Sequence, residues 1–191
     1  MDDFDKYEIL LASKSPRRKE ILQQSGIPFK LISIEVDETY PYILSKSKVA
    51  EYLANKKAQA VEIKIENHQI ILTCDTVVVT NNEILNKPAD QSEAVKMLSK
   101  LSNTTHQVIT GVCLKSNLKT HLFSDTTTVT FKELSSEEIN YYIEKFNPLD
   151  KAGAYGIQEW IGLIGVTEIN GSYHNVVGLP INKIYEALNK F

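Results

Sequence analysis

The residues best suited to chemistry near the start of the chain form one short segment, Ser13-Lys14-Ser15-Pro16-Arg17-Arg18. The segment follows an apolar run at residues 9–12, which is typical of a buried strand. Ser15 is a favoured residue for a helix N-cap, and Pro16 suits the first helical position. The pattern therefore predicts a strand that leads into a helix near residue 16, with two arginines in the first helical turn.

Positive charge in that first turn favours a bound anion. Cations there oppose the helix macrodipole, whereas a phosphate group would be stabilised by the dipole and by the backbone N–H groups of the turn. The hydroxyls of Ser13 and Ser15 and the guanidinium groups of Arg17 and Arg18 together predict a polyphosphate-binding site. The alternative interpretation is a solvated pair of arginines on a surface helix.

Asp75 lies within residues 70–79, a stretch that otherwise reads as a buried strand. A carboxylate in such a strand needs a partner, a metal ion or a proton, because its desolvation is costly. This placement predicts a catalytic base. The alternative is that the strand ends near Thr73 and that Asp75 caps a turn, but the β-branched residues that continue to Val79 argue against it.

A third group of polar residues consists of Lys87 and the segment Asp-Lys-Ala-Gly-Ala-Tyr-Gly-Ile-Gln at residues 150–158. Gly153 and Gly156 permit positive φ angles and close approach of the backbone to a ligand. Lys151 and Gln158 could offer hydrogen-bond donors to that ligand. Glycine-containing loops are common, so this segment alone indicates no particular ligand.

The elements that must position these residues alternate in the manner of an α/β protein. We predict strands at residues 7–12, 29–34, 69–79, 106–115, 121–131 and 161–169. We predict helices at residues 16–25, 46–66 and 92–101, a fourth from a capping box at Ser135 and Glu138, and a last one from Pro180. Asn81-Asn82 predicts a tight turn, and residues 171–180 are expected to form a loop.

Composition excludes several classes of protein. The 191 residues carry 21 basic and 24 acidic side chains, a net charge of −3, which argues against nucleic acid as a partner.

Cys74 and Cys113 lie in apolar runs and are expected to be reduced core residues of a cytoplasmic protein. His106 and His174 are expected to be hydrogen-bonded packing residues. The acidic start at residues 1–5 and the lack of a membrane-length apolar run argue against secretion and membrane insertion. Without repeats or a linker, residues 1–191 are expected to form a single domain.

These segments together resemble the Maf family of nucleoside triphosphate pyrophosphatases over nearly the whole chain. The resemblance rests on residues 11–18, 75–78, 150–158 and 171–180. It implies an α/β fold with a mixed twisted sheet flanked by helices and two lobes around a deep nucleotide-binding cleft, similar to inosine triphosphate pyrophosphatase. It also implies a homodimer that cleaves a nucleotide between its α- and β-phosphates, giving a nucleoside monophosphate and pyrophosphate.

The resemblance also implies roles for particular residues. Asp75 would be the proton acceptor, and Glu38 would join Asp75 at a divalent cation, Mg²⁺ or Mn²⁺. Hydroxyl and cationic side chains would bind the substrate, namely Ser13, Arg17, Arg18, Lys57 and Lys87. Glu35 and Asp37 are close to Glu38 in sequence, so the identity of the carboxylate that meets the metal is left open.

Arg17, Thr76 and Gln158 match the branch of the family that hydrolyses dTTP and UTP and differ from the branch similar to 7-methyl-GTP pyrophosphatase. Modified pyrimidine nucleotides are further candidate substrates. One alternative is a 7-methyl-GTP pyrophosphatase, and another is a nucleotide-binding regulator of cell division with little turnover. Asp75 favours an enzyme, because a protein that only binds triphosphate has little need for a buried carboxylate that repels it.

Four residues depart from the pattern of the family: Asn86, Asn103, Asn147 and Glu159. Asparagine tolerates the left-handed conformation that glycine would adopt, which could account for Asn86 and Asn103. Asn147 and Glu159 adjoin the segment proposed to read the base. We therefore expect them to bear on fine specificity rather than on the class of reaction.

Overall fold

Strands and helices alternate along the computed structural model, which describes residues 6–191. The strands are β1 (Glu8–Ala12), β2 (Phe29–Ile32), β3 (Gln69–Thr80), β4 (Glu83–Leu85), β5 (Thr105–Lys115), β6 (Thr120–Phe131) and β7 (Val166–Asn170). The helices are α1 (Pro16–Ser25), α2 (Lys46–Gln59), α3 (Gln91–Leu101), α4 (Ser136–Phe146), α5 (Trp160–Gly165), α6 (Tyr173–Val177) and α7 (Ile181–Leu188). The acidic segment at residues 1–5, which entered the expectation about secretion, lies outside the described residues.

The strands form one mixed seven-stranded sheet with the order β2-β1-β3-β5-β6-β7, and β4 pairs with β3. β1 is parallel to both of its neighbours, and Leu11 lies opposite Leu31 on β2 and Leu72 on β3. The pairs β3–β4 and β6–β7 are antiparallel. The predicted α/β class with a mixed sheet is therefore confirmed.

The chain divides into two compact units, and strands β3, β5 and β6 contribute residues to both. The first unit contains the chain up to Asp75 together with Thr110–Asp125 and Gly178–Phe191. Its core includes Leu10, Ile71 and Val61, with a second cluster that joins α2 to Cys113. A Cβ atom on Gly111 would lie 2.3 Å from the Ala50 carbonyl oxygen, so α2 packs directly on the backbone of β5.

The second unit contains Thr76–Ile109 and Thr126–Val177. Its core joins α3, α4 and α5 to the strands through large buried side chains such as Tyr142 and Phe131. His106 is buried there, 2.7 Å from the hydroxyl of Tyr155, which confirms its predicted packing role. Burial lowers the pKa of His106 to about 4. His174 instead is exposed on α6 and lies edge-on to Tyr173, so its prediction as a hydrogen-bonded packing residue is wrong.

The predicted end of α1, the turn between β3 and β4 and the capping box of α4 are confirmed. Helix α1 ends at Gly26 in the left-handed conformation, with φ of +72°. The Asn81-Asn82 turn between β3 and β4 has positive φ at both residues, as a tight hairpin requires. The capping box at the start of α4 is complete, because the side chains of Ser135 and Glu138 each bond the other's backbone N–H.

Three predicted elements are wrong in extent or type. Helix α2 stops at Gln59 instead of continuing to residue 66, where the β-branched residues Val61, Ile63 and Ile65 disfavour helix. Residues 161–165, predicted as strand, form helix α5, and β7 starts only at Val166. A short helix, α6, lies within the predicted loop at residues 171–180.

Of Asn86 and Asn103, which were both expected to adopt the left-handed conformation, one does so. Asn103 has φ of +54°, and the left-handed conformation is therefore confirmed there. Asn86, in contrast, is not among the described residues with positive φ, and its carbonyl oxygen accepts a hydrogen bond of 3.2 Å from Gly153 N–H.

No helix within residues 6–191 combines the length and the apolar character needed to cross a membrane.

Candidate active site

The predicted phosphate-binding segment lies in the first unit, between the end of β1 and the start of α1. Ser15 occupies the N-cap position with an extended backbone, as expected. Its side chain, however, makes no capping hydrogen bond among the described residues. The hydroxyl oxygen of Ser13 instead accepts a hydrogen bond of 3.2 Å from Ser15 N–H. Ser13 therefore orders the turn that leads into the helix.

Arg18 connects this turn to two distant parts of the first unit. Its Nε donates to the carbonyl oxygen of Gly178 at 2.8 Å, and its Nη1 donates to the carbonyl oxygen of Cys74 at 2.8 Å. Nη1 also lies 3.4 Å from the hydroxyl oxygen of Ser13. Arg18 thus holds the turn beside the residue that precedes Asp75, and Arg17 lies half-buried next to it in the chain.

Asp75 is buried on β3, with 8% of the residue exposed. The strand continues to Thr80, so the interpretation of Asp75 as a turn cap is excluded. The ammonium group of Lys57, in the last turn of α2, lies 2.5 Å from Asp75 Oδ1. Two residues before Asp75, the Thr73 hydroxyl donates to the Ala54 carbonyl oxygen at 2.6 Å and holds α2 against the strand.

Glu38 contacts the same ammonium group, at 2.7 Å from its Oε1. The neighbouring carboxylates have other partners, because Glu35 lies 3.5 Å from Lys14 and Asp37 lies 3.6 Å from Lys56. Asp37 also accepts a hydrogen bond from the Thr39 hydroxyl, which contributes to lowering the pKa of Asp37. Of the three carboxylates that the sequence left open, Glu38 is therefore the one that meets Lys57 together with Asp75.

The two carboxylates fit a cation that arrives with a phosphate ligand. Within residues 6–191, no group of three or more His, Cys, Asp and Glu side chains could hold a metal by itself. Mg²⁺ in nucleotide enzymes is commonly held by one or two carboxylates plus phosphate oxygens and water. Asp75 and Glu38 provide such a pair of oxygen ligands, and both contact the Lys57 ammonium group.

The remaining predicted residues belong to the second unit. Thr76 is half-buried on β3, directly after Asp75, and Lys87 is exposed after β4. The segment at residues 150–158 is joined to the Lys87 hairpin by the bond from Gly153 N–H to Asn86. Gly153 has φ of +70°, as its sequence context predicted.

Gln158 is exposed at the end of that segment, whereas Lys151 is buried. The ammonium group of Lys151 lies 2.8 Å from Asp150 and 3.1 Å from Glu159. The Lys151 ammonium group is thus paired with two carboxylates, and its side chain is not exposed for contact with a ligand. Gly156 does not have positive φ, and its missing side chain serves close packing instead.

The structure therefore brings two sets of predicted residues together in the first unit, Ser13 with Arg18 and Lys57 with Asp75 and Glu38. One polar cluster in the second unit was not predicted from the sequence. The hydroxyl of Tyr142 on α4 donates to the Glu159 carboxylate and accepts a hydrogen bond of 3.0 Å from Gly156 N–H. Burial and the neighbouring carboxylate raise the pKa of Tyr142 well above its usual range.

Curated relatives match the chain over nearly its full length. A protein of Flavobacterium psychrophilum named dTTP/UTP pyrophosphatase is 48% identical over 182 residues, which cover 95% of this chain and 93% of that protein. A protein of Phocaeicola vulgatus with the same name is 48% identical over 191 residues and covers 100% of this chain and 99% of its own. A third relative with this name, from Porphyromonas gingivalis, is 46% identical over 194 residues.

A solved structure and a family model also match nearly the whole chain. The structure of the Staphylococcus aureus Ham1 protein has a TM-score of 0.54 and 19% sequence identity, and the match covers 96% of this chain and 98% of that one. At this identity the likeness is one of fold, and it supports the predicted mixed sheet flanked by helices. The family model described as Maf-like protein matches residues 8–191. Because this match covers nearly the whole chain, including all the segments on which the resemblance rests, the chain belongs to the family of Maf-like proteins.

Proposed function

We propose that the protein is a nucleoside triphosphate pyrophosphatase that converts dTTP and UTP to the nucleoside monophosphate and pyrophosphate. The observation that carries this proposal is the buried carboxylate of Asp75, which shares the ammonium group of Lys57 with Glu38. A buried acid held in this way is suited to accept a proton or to bind a cation. The names of relatives at 46–48% identity support the choice of nucleotides.

In the proposed reaction, Asp75 accepts a proton from water as the water attacks a phosphorus atom of the α,β-anhydride. The bond to the bridging oxygen breaks, and the nucleoside monophosphate and pyrophosphate separate. Such transfers depend mainly on positioning and on neutralising phosphate charge. We assign these tasks to the cationic and hydroxyl side chains Ser13, Arg17, Arg18, Lys57 and Lys87, and Arg18 in addition holds the turn that carries Ser13.

We assign Glu38 and Asp75 as the protein ligands of a divalent cation, Mg²⁺ or Mn²⁺. The choice of Glu38 over Glu35 and Asp37 follows from its contact with the Lys57 ammonium group beside Asp75. When bound, the cation would neutralise phosphate charge and polarise the anhydride. Lys57 already balances part of the charge of the two carboxylates, so it holds them close together before nucleotide binds.

We assign recognition of the base to Thr76 and Gln158, with Arg17 as the third residue of the pyrimidine pattern. A hydroxyl and an amide can match the donor and acceptor groups of a uracil or thymine ring. A base that covers these groups without matching them is rejected, because polar groups that lose water without gaining a partner are costly. The same residues make modified pyrimidine triphosphates further candidate substrates.

We also propose a homodimer in the cytoplasm, as the family resemblance implies. The cytoplasmic assignment is supported by Cys74 and Cys113, which are both free and buried. Burial raises the pKa of Cys113 to about 11 and disfavours its reactive thiolate form. Both residues therefore have the character of reduced core side chains.

The proposed function is tested by pyrophosphate release from dTTP, UTP, CTP, GTP, 7-methyl-GTP and methylated UTP, each with Mg²⁺, with Mn²⁺ and with a chelator. We expect release from dTTP and UTP that stops when the chelator removes the metal. Release from 7-methyl-GTP instead would contradict the assignment of Thr76 and Gln158. Nucleotide binding without any release would favour a nucleotide-binding regulator.

A further inference from the structure

The ammonium group of Lys57 contacts both carboxylates that we assign to the metal, Glu38 and Asp75, which we call the carboxylate pair. Its nitrogen lies 2.7 Å from Glu38 Oε1 and 2.5 Å from Asp75 Oδ1. These are distances of charge-assisted hydrogen bonds. Lys57 therefore donates to one oxygen atom of each member of the pair, in a position that a shared metal ion would also use.

A divalent cation and the Lys57 ammonium group would compete for the carboxylate pair. Mg²⁺ binds carboxylate oxygens at about 2.1 Å, and an oxygen atom that already accepts a hydrogen bond from an ammonium group is a poorer metal ligand. A cation on the other oxygen atoms of the same two carboxylates would still be opposed by the positive charge of Lys57. The side chains of Lys57 and Asp75 are each 11% exposed, so water screens this repulsion little.

The helix that carries Lys57 is held firmly against the sheet. The Thr73 hydroxyl donates to the Ala54 carbonyl oxygen at 2.6 Å, and Ala54 and Ala58, which flank Lys57 in α2, are both buried. Asp75 lies on β3 in the same sheet. The ammonium group therefore changes partners by rotation of its own flexible side chain and not by movement of the helix.

Glu38 is the more movable member of the carboxylate pair. It belongs to residues 33–45, which form neither helix nor strand, and its side chain is 45% exposed. Polar contacts from α2 hold this segment, because Lys57 binds Glu38 and the Lys56 ammonium group donates to the Thr39 carbonyl oxygen at 3.0 Å. A change of partner at Lys57 would release one oxygen atom of each carboxylate for a new cation.

A triphosphate supplies the alternative partner for Lys57. We assign Lys57 to the phosphates, and an ammonium group can turn its three donors from a carboxylate to a phosphate oxygen. The same phosphates provide further ligands for the Mg²⁺ ion that accompanies a nucleotide. Nucleotide binding would thus remove the competing cation from the carboxylate pair and complete the set of metal ligands.

We propose that Lys57 occupies the carboxylate pair until a nucleoside triphosphate binds and thereby makes metal binding depend on nucleotide binding. The proposal rests on the proposed function, in which Glu38 and Asp75 are the metal ligands. Lys57 keeps a divalent cation away from Asp75 while no phosphate is present, and it moves to the phosphates when the nucleotide arrives. Metal therefore binds with or after the nucleotide and not before it.

The first test measures binding of Mn²⁺ alone, without nucleotide, from the electron paramagnetic resonance signal of unbound Mn²⁺. We expect weak binding by the wild type and about tenfold tighter binding by Lys57→Met, because the competing ammonium group is gone. Lys56→Met is the matched control, since it removes the same charge from the neighbouring residue, which contacts Asp37 and Thr39; its affinity should stay near that of the wild type. Adding Glu38→Gln to Lys57→Met should abolish the gain.

Three results of this test would overturn the proposal: equal Mn²⁺ affinity in the wild type and Lys57→Met, an equal gain in Lys56→Met, or a gain that persists when Glu38→Gln is added. If Lys57→Met gains affinity while the wild type releases no pyrophosphate from dTTP, the proposed function fails and the competition at the carboxylate pair stands. Release from dTTP without a gain in Lys57→Met would refute the role of Lys57 alone.

A second test uses only the wild type and does not depend on the folding of a variant. Crystals are soaked with Mn²⁺ alone or grown with Mn²⁺ and α,β-imido-dUTP, and the metal is located by its anomalous scattering. We expect Mn²⁺ at Glu38 and Asp75 only with the nucleotide analogue, with the Lys57 nitrogen on a phosphate and more than about 4 Å from Asp75. Mn²⁺ at the carboxylate pair without the analogue, Mn²⁺ at the pair in neither crystal, or Lys57 still on both carboxylates beside bound Mn²⁺ would refute the proposal.

Discussion

At the scale of single residues, two cations organise the first unit. Arg18 bonds the carbonyl oxygens of Cys74 and Gly178, and Lys57 joins the carboxylates of Glu38 and Asp75. These contacts link positions that lie far apart in the chain and place the turn before α1 beside the buried acid. The assigned chemistry thus depends on side chains that also hold the backbone around them.

Replacing Arg18 with alanine should therefore affect stability as well as ligand binding. Two carbonyl oxygens would lose a charged donor, and we expect the free energy of unfolding to fall by about 2 kcal/mol. Denaturant unfolding measures this change, and calorimetric titration should show weaker binding of dTTP. Lys19→Ala is the control on the same helix, because Lys19 is exposed. Equal stability of the two variants would contradict the bracing role of Arg18.

The sequence could predict the type and burial of the site residues but not their partners. Asp75 was recognisable because a carboxylate interrupts an apolar β-branched run, and Arg17 and Arg18 because they occupy a first helical turn. The partners of Arg18 are backbone atoms that residue type does not reveal, and Gly178 is 160 positions away. Tyr142 had only the signal of an apolar helix face, since its hydroxyl finds Glu159 and Gly156 through tertiary structure.

At the scale of elements, helix boundaries followed their capping signals where these were present. Pro16 and Gly26 bound α1, and the capping box at Ser135 starts α4. The apolar run at residues 160–165 was ambiguous, because its length suits a buried strand as well as a short helix. It forms a helix in which Ile161 and Gly165 are buried and Leu163 is exposed, a pattern visible only once the neighbouring elements are in place.

The capping box gives a prediction at this scale. Ser135→Ala removes the side-chain acceptor of Glu138 N–H and should lower the free energy of unfolding by about 1 kcal/mol. Ser136→Ala, at the next residue and inside the helix, should change it much less. Denaturant unfolding of both variants provides the comparison. An equal fall in the free energy of unfolding in Ser136→Ala would show that the Ser135 cap does not stabilise the helix.

At the scale of the whole molecule, the two units differ in how they bury titratable groups. Each unit contains an ion pair shielded from solvent, Lys57 with Asp75 in the first and Lys151 with Glu159 in the second, and the second in addition buries the uncharged pair of His106 and Tyr155. A neutral histidine in a core makes stability sensitive to acid, because its pKa is higher in the unfolded chain, which therefore binds a proton before the folded chain does. The single tryptophan, Trp160, packs against the core of the second unit and can report its unfolding.

Stability of the second unit should therefore fall as the solution is acidified. The pKa of His106 is lowered from 6.5 to about 4 by burial, so its contribution is full above pH 6.5 and is lost progressively towards pH 4. The largest resulting loss of unfolding free energy is about 3 kcal/mol. Denaturant unfolding followed by Trp160 fluorescence between roughly pH 7.5 and pH 4 should show this fall in the free energy of unfolding. His106→Gln should flatten it, and an identical slope in that variant would assign the acid sensitivity to other groups.

We propose that Asp75 accepts the proton in hydrolysis of a pyrimidine triphosphate. The most direct measurement compares pyrophosphate release from dTTP by the wild type and by Asp75→Asn, together with calorimetric titration of dTTP into both proteins. We expect release to fall by at least about a thousandfold in the variant, because it loses both proton acceptor and metal ligand, while dTTP still binds. Full activity of a folded Asp75→Asn protein would show that Asp75 is not the proton acceptor.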